Sequence, residues 1–450
     1  MRKAIILGMM ILGLFALAGC KKDTQQGQPG ERQEETEKQE NVKETEGTFV
    51  PEDYKPGNKT KLLPSMMKTD KGYYYYTYID NGIHYYDIAT EKAMFLCNKP
   101  ECRHDGNEFC VATNRNYLSL AHSLYNDKIL KYVMEETDTR YCFKVLSIAL
   151  DGSAMEEVAT TMAFEKSAGD ISMGSCYMYV HRNKAFLTMA GVGLTDKETY
   201  CGVAILDLNT KEVKYLDEEP FGKNNVEAEC VTAAGDYFYY CKRDGKTLLL
   251  HRYHIENGME EALNLLPGFA GEYVVLDEDT IAYIKKVGTM VYTYRISTGE
   301  NTEQARVMRP FYEYQSDGSY QKGEGLKESS VAQLETDGTY VYAAEQQKLY
   351  MNTGEDGEPV LIANESYIHV FNNKLEEVAL VDMAEAASVL DVGDMKWSGL
   401  SYTKTLWYRG EEIYWNLMPE EPREWENYVF CCKRSDFIAG KPEFTFVYGY

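Results

Sequence analysis

The sequence predicts an all-β fold: a β-propeller of seven blades, with six or eight as the neighbouring counts, behind an N-terminal leader and tether. Three observations predict it. Tyrosine supplies 37 of the 450 residues, in alternating or clustered runs with Val, Ile, Thr and Phe, which is the composition of strands rather than helices. A strand–turn–strand unit recurs along the chain. No Pro- or Ser-rich linker follows residue 60, so nothing marks a division into separate β domains, which with a two-sheet sandwich array is the competing architecture.

The chain opens with a leader over residues 1–19. Arg2 and Lys3 supply a positive start and Ala4 to Leu17 an apolar run too short to span a bilayer, the pattern of a signal peptide. Leu17-Ala18-Gly19-Cys20 resembles the bacterial lipobox, in which the cysteine thiol is acylated and the chain cut before it; Cys20 is therefore the expected lipidation site. Two acyl chains on one cysteine give the double anchor that stable attachment requires. Residues 20–50 follow as an acidic tether. Glu, Gln, Lys and Thr dominate it and aromatic residues are almost absent, so it cannot bury enough apolar surface to fold.

Residues 51–450 form the predicted propeller. Its unit is a polar turn, an aromatic and β-branched strand, a second strand, and a reverse turn of the type Asp-x-x-Thr. It is seen at Lys71–Tyr76 with Ile83–Glu91, at Val203–Glu212, at Gly235–Tyr240, at Thr280–Ile284 with Val291–Glu300, and at Thr336–Tyr342. Weaker copies begin at Lys128 and Lys184, and a last one near Lys404. Starts near residues 73, 129, 185, 237, 281, 341 and 407 give a period that suits one four-stranded blade each. A lone blade has two apolar faces; stacking blades radially buries them, and closing the ring leaves short edges. The final run Phe444–Tyr450 reads as a strand that pairs with the first blade and closes the ring. Glu376–Val389 is the best helical candidate, although Val378, Leu380 and Val381 suit a strand equally.

One cluster carries possible chemistry. Cys97, Cys102, His104 and Cys110 fall in a Cys-x4-Cys-x-His-x5-Cys loop that follows the first strand pair and contains Pro100 and Gly106. Three thiols and an imidazole on one loop can supply the four donors of tetrahedral zinc. In an exported protein a disulfide, Cys97 to Cys110 or Cys102 to Cys110, reads as naturally, and reduced thiols are the third state. In either bonded state the role is to pin a long loop. Cys230 and Cys241 flank a hairpin and form a candidate disulfide; the other cysteines sit in apolar runs and read as buried thiols.

Lipobox, acidic tether, Tyr-rich repeats and the loop Cys97…Pro100-Glu101-Cys102-Arg103-His104-Asp105…Cys110 together resemble a set of uncharacterised lipoproteins of Gram-positive, Clostridia-like anaerobes described as TolB-like or propeller-like. The resemblance spans most of the chain. It implies a fold and a location, and it brings no catalytic residues to positions here.

The formal charge of −24, which still counts the cationic leader, disfavours nucleic acid as a partner and reads as a solvated acidic exterior. No Gly-x-Ser-x-Gly elbow, His-Glu-x-x-His or phosphate-binding glycine loop is present. His251 and His254 read as surface or groove residues, Ser316–Ser319 as a turn, and Trp397, Trp407, Trp415 and Trp425 as packing of the last blade. The functional expectation is a surface-anchored binding or scaffold module for an envelope protein, peptide or glycan on the outer face of the cytoplasmic membrane of a Gram-positive bacterium. The alternatives are a carbohydrate-active propeller with carboxylates near its channel, and a metal- or redox-responsive lipoprotein acting through the cysteine loop.

Overall fold

The computed structural model describes Lys59–Thr60 and most of residues 66–449; residues 1–58, 61–65, 391–405, 418–427 and several shorter segments lie outside the description. Cys20 and the expected leader and tether are therefore outside the described residues, as are Ser316–Ser319, Trp397 and Trp425.

Consecutive antiparallel strands assemble seven four-stranded blades. Blade 1 runs from the strand Met66–Lys68 to Lys92–Phe95, blade 2 from Tyr117–Tyr125 to Met155–Glu165, and blade 3 from Ile171–His181 to Val213–Tyr215. Blade 4 runs from Val226–Ala234 to Glu260–Leu263 and blade 5 from Phe269–Val275 to Glu300–Arg306. Blade 6 runs from Ser330–Thr336 to Glu377–Asp382, and blade 7 from Leu406–Arg409 to Thr445–Gly449. First strands of successive blades touch one another from blade 2 to blade 5, and blade 5 meets blade 6 in the same way, which puts the first strands at the ring's inner edge. Among the described residues no helix is long and apolar enough to cross a membrane.

The core lies between blades rather than within any one of them. In blade 2 the second strand, Lys128–Glu136, is buried at every position from Ile129 to Met134, because both of its faces meet a neighbouring blade. Leu130 and Tyr132 pack toward Met178 and Leu187 of blade 3, while Ile129 packs toward Tyr76 and Ile83 of blade 1. The pattern repeats around the ring: Phe186 stacks on Phe238 at 4.3 Å between blades 3 and 4, Tyr239 meets Tyr273 between 4 and 5, and Ile284 and Val341 share the cluster between 5 and 6. Tyr342, Val370, Trp415 and Phe430 fill the space between 6 and 7, where Trp415 is fully buried and stacks on Phe437 at 4.9 Å. The last cluster joins Tyr75 of blade 1 to Tyr414 and Val429 of blade 7 and so closes the ring.

Two expectations need correction. The C-terminal strand Thr445–Gly449 pairs with Tyr428–Lys433 inside blade 7, not with blade 1. Closure comes instead from side chains, with Lys68 of blade 1 contacting Glu412 and the Tyr414 hydroxyl (2.6 Å) of blade 7. The candidate helix Glu376–Val389 divides: Glu377–Asp382 is the outer strand of blade 6, paired with Tyr367–Phe371, and only Met383–Ser388 is helical. The β-branched first half is taken by the sheet edge, and the Ala-rich second half, whose Glu385 amide is capped by Asp382 at 3.0 Å, turns away as a helix.

Two features were not foreseen. A two-stranded hairpin, Pro310–Tyr314 with Tyr320–Leu326, is inserted between blades 5 and 6. The two-residue strand Lys59–Thr60 pairs with Tyr179 and Met178 on the first strand of blade 3, so the chain reaches that inner edge before blade 1 begins.

Candidate metal centre in the first inter-blade loop

The cysteine loop connects the last strand of blade 1 to the first strand of blade 2. Its backbone is held from both sides. The Leu96 amide donates to Ile83 O (2.9 Å) and the Ile83 amide to Ala112 O (3.2 Å), both on blade 1, and the Asn98 amide donates to Gly152 O (3.4 Å) on blade 2. Local turns then aim the donors. Pro100 starts a turn closed by the Cys102 amide on Lys99 O (3.0 Å), where its fixed φ suits the first corner. His104 takes a left-handed φ of 54° and Gly106 one of 86°, reversing the chain before the turn in which the Cys110 amide reaches Asn107 O at 3.1 Å. The Lys99 ammonium ties the loop across its width by donating to Phe109 O at 2.6 Å.

These turns bring four donors together. The Sγ atoms of Cys97, Cys102 and Cys110 and a ring nitrogen of His104 all lie within 4.8 Å of one another, with Cys110 buried and the others half-buried. Tetrahedral zinc with sulfur at about 2.3 Å needs donor separations of roughly 3.5–3.8 Å, so the cluster needs only a slight contraction at its widest to hold the ion. His104 Nδ1 already stands 3.6 Å from Cys110 Sγ. Its ring lies on Phe95 at 4.7 Å, Phe95 on His84 at 4.5 Å, and His84 on Tyr75 at 5.3 Å, a column that runs from the blade into the loop. At the base of the column Asp80 Oδ2 meets His84 Nε2 at 2.8 Å.

Electrostatics favour a bound cation. Burial by itself would raise the Cys110 thiol, but donation from the Thr113 hydroxyl (3.2 Å) and amide (3.4 Å), from His104 and from Cys102 brings it down to about 6. Cys102 accepts the His104 amide, which lowers it, yet burial and the neighbouring Cys110 and Cys97 thiols raise it overall. One thiolate is thus favoured and a second opposed. A dication among them removes that opposition, because a metal ligand is the deprotonated form.

The first two strands of blade 2 carry two buried polar residues that pattern reading of the sequence missed. Lys131 and His122 face each other across the second and first strands of blade 2, and both are fully buried. Burial pushes Lys131 down to about 8 against the attraction of Cys110, and burial together with the Lys131 charge holds His122 well below the usual histidine range. The signal was a lone lysine within the apolar run Ile129–Met134. Thr113 left no comparable signal, since its role depends on the turn after Cys110.

The remaining candidates are not brought to this centre. Cys230 sits at a bulge opposite Cys241 in the first hairpin of blade 4, with the two thiols in hydrogen-bonding reach, and burial holds Cys241 well above the usual thiol range. All ten described cysteines are free thiols. His251 pairs with Glu260 at 2.9 Å and His254 packs edge-on to Tyr237 at 5.1 Å, each half-buried on a strand of blade 4.

No family model matches the chain, and no curated protein matches it. Similar solved structures include TolB from Acinetobacter baumannii, at TM-score 0.33 and 10% identity over 85% of this chain and 78% of that one. An uncharacterized protein from Listeria monocytogenes aligns at TM-score 0.42 and 5% identity, over 74% of this chain and 83% of its own. A puromycin-hydrolyzing peptidase of Mycobacterium tuberculosis aligns at 0.36 and 12% identity over 80% of this chain, which spans about half (50%) of the peptidase's length. At such identities none of these likenesses transfers a substrate or an activity.

Proposed function

We propose that the chain is a lipid-anchored β-propeller on the outer face of a Gram-positive cytoplasmic membrane, acting as a binding or scaffold module for an envelope protein, peptide or glycan. In this reading the loop from Cys97 to Cys110 closes on a zinc ion that clamps blade 1 to blade 2. The observation that supports it is the convergence of four protein donors within 4.8 Å on a loop hydrogen-bonded to both blades. Four protein donors complete a tetrahedral shell, and a complete shell is the signature of structural zinc; a catalytic zinc keeps a position open. Cys97, Cys102, His104 through Nδ1, and Cys110 are the ligands. The ion would neutralise the thiolates, while Thr113 and Phe95 hold Cys110 and His104 in place.

A second reading has one observation in its favour. Cys102 and Cys110 are hydrogen-bonded to each other, which also suits a disulfide across the loop. The full chain, extracted from membranes in detergent, separates the two. One zinc per chain, lost together with thermal stability on chelation and absent from C110S, is expected. Absence of zinc with two loop cysteines resistant to alkylation overturns the zinc reading in favour of the disulfide. The anchor has its own test: C20A moves the chain from the membrane to the soluble fraction, and retention in the membrane would refute it.

A further inference from the structure

We propose that Lys131 is a built-in counter-charge of the metal centre, placed on its buried side so that it balances the net negative charge left by three thiolates and a divalent ion. This rests on the zinc reading above. Three thiolates, a neutral imidazole and a dication leave one net negative charge on the loop between blades 1 and 2, with Cys110 as its buried donor. A charge so placed is costly unless an opposite one stands beside it.

The strand geometry puts Lys131 where that partner is needed. Ile129, two residues earlier on the same face of the strand, packs with Val111, Ile83 and Tyr76, so Lys131 also faces blade 1 along the segment that follows Cys110. His122, directly opposite Lys131, stacks on Tyr76 at 5.1 Å, and Ala112 O receives the amide of Ile83, the residue opposite Tyr76. Lys131 is 1% exposed, and among the described residues no carboxylate forms a salt bridge with it; the attraction that acts on it comes from Cys110. Fully buried lysines are rare unless paired. His122 cannot share the charge, because burial, and after it the lysine beside it, keeps the imidazole neutral. Lys131 is thus a positioning residue, acting on the ion through Cys110 and not as a ligand.

Competition between the full detergent-solubilised chain and a chelating dye, with zinc as the probe, tests this. Lys131→Met keeps the length and apolar stem of the side chain and removes the charge, and is expected to bind zinc about tenfold or more weakly, the usual cost of losing an outer partner of a ligand. A thermal readout separates charge balance from packing. Without zinc the variant should unfold at the same temperature as the parent or higher, because an unpaired buried charge is gone, while the rise caused by zinc should shrink. Equal zinc affinity in parent and variant, or an equal loss of stability with and without zinc, overturns the proposal. A parent chain that takes up no zinc overturns the zinc reading instead. If Lys131→Met does not fold, Lys131→Gln in the same titration decides the matter by the same outcomes.

Discussion

At the scale of single residues, the centre depends on backbone positions that admit few side chains. Gly152, at the turn between the last two strands of blade 2, has a φ of 69° and lies against the backbone of the cysteine loop. A Cβ there would stand 2.8 Å from both Cys97 N and Leu96 C, atoms that cannot swing aside as a side chain could. Gly152→Ala is therefore expected to destabilise the chain by roughly 1–3 kcal/mol through conformational strain and displacement of the loop. Urea unfolding of the two chains measures this; a midpoint within error of the parent would show that the loop is not seated on blade 2. The four ligand types and their loop were legible from residue spacing. Their convergence was not, because it depends on the left-handed His104 and on Thr113 reaching back to Cys110, and neither is visible as a spacing.

At the scale of strands and turns, the repeats seen in the sequence coincide with one strand in particular. The starts near 73, 129, 185, 237, 281 and 341 all fall on the second strand of a blade, and only the start near 407 falls on a first strand. Second strands have neighbours on both edges and a blade on each face, so they collect the aromatic and β-branched residues that make a repeat conspicuous. The Asp-x-x-Thr turns are also as read: Asp87 accepts the Thr90 amide and hydroxyl, each at 2.8 Å, and Asp207 accepts the amides of Asn209 and Thr210, each at 2.9 Å. The Thr210 amide first, and then Lys184, pull Asp207 down to about 2 from an ordinary value of 3.8. A carboxyl lowered on folding stabilises the fold above its unfolded value and loses that contribution as pH falls through the folded one, here between about pH 4 and pH 2. The stability gap between the parent and Asp207→Asn is therefore expected to narrow over that interval when unfolding is followed by urea at pH 5 and near pH 2.5. A gap that is constant with pH would mean that the turn holds without the carboxylate charge.

At the scale of the whole molecule, the ring is held by side chains where a shared strand was expected. Among the described residues, seven hydrophobic clusters correspond to seven blade interfaces, and the one between blades 7 and 1 is the smallest. Polar contacts reinforce it: Lys68 lies over the rings of Tyr73 at 5.5 Å and Tyr414 at 5.3 Å while contacting Glu412, and the Tyr414 hydroxyl donates to Glu412 at 2.5 Å. The sequence by itself determined the all-β class, the repeated blade and the set of candidate ligands, since period, composition and spacing are local properties of the chain. Tertiary structure alone decided how the ring closes, where Lys59–Thr60 docks, and that Lys131 is buried within electrostatic reach of Cys110. These are contacts between segments far apart in the chain or on different blades, and a local pattern carries no information about which distant surface will bury it.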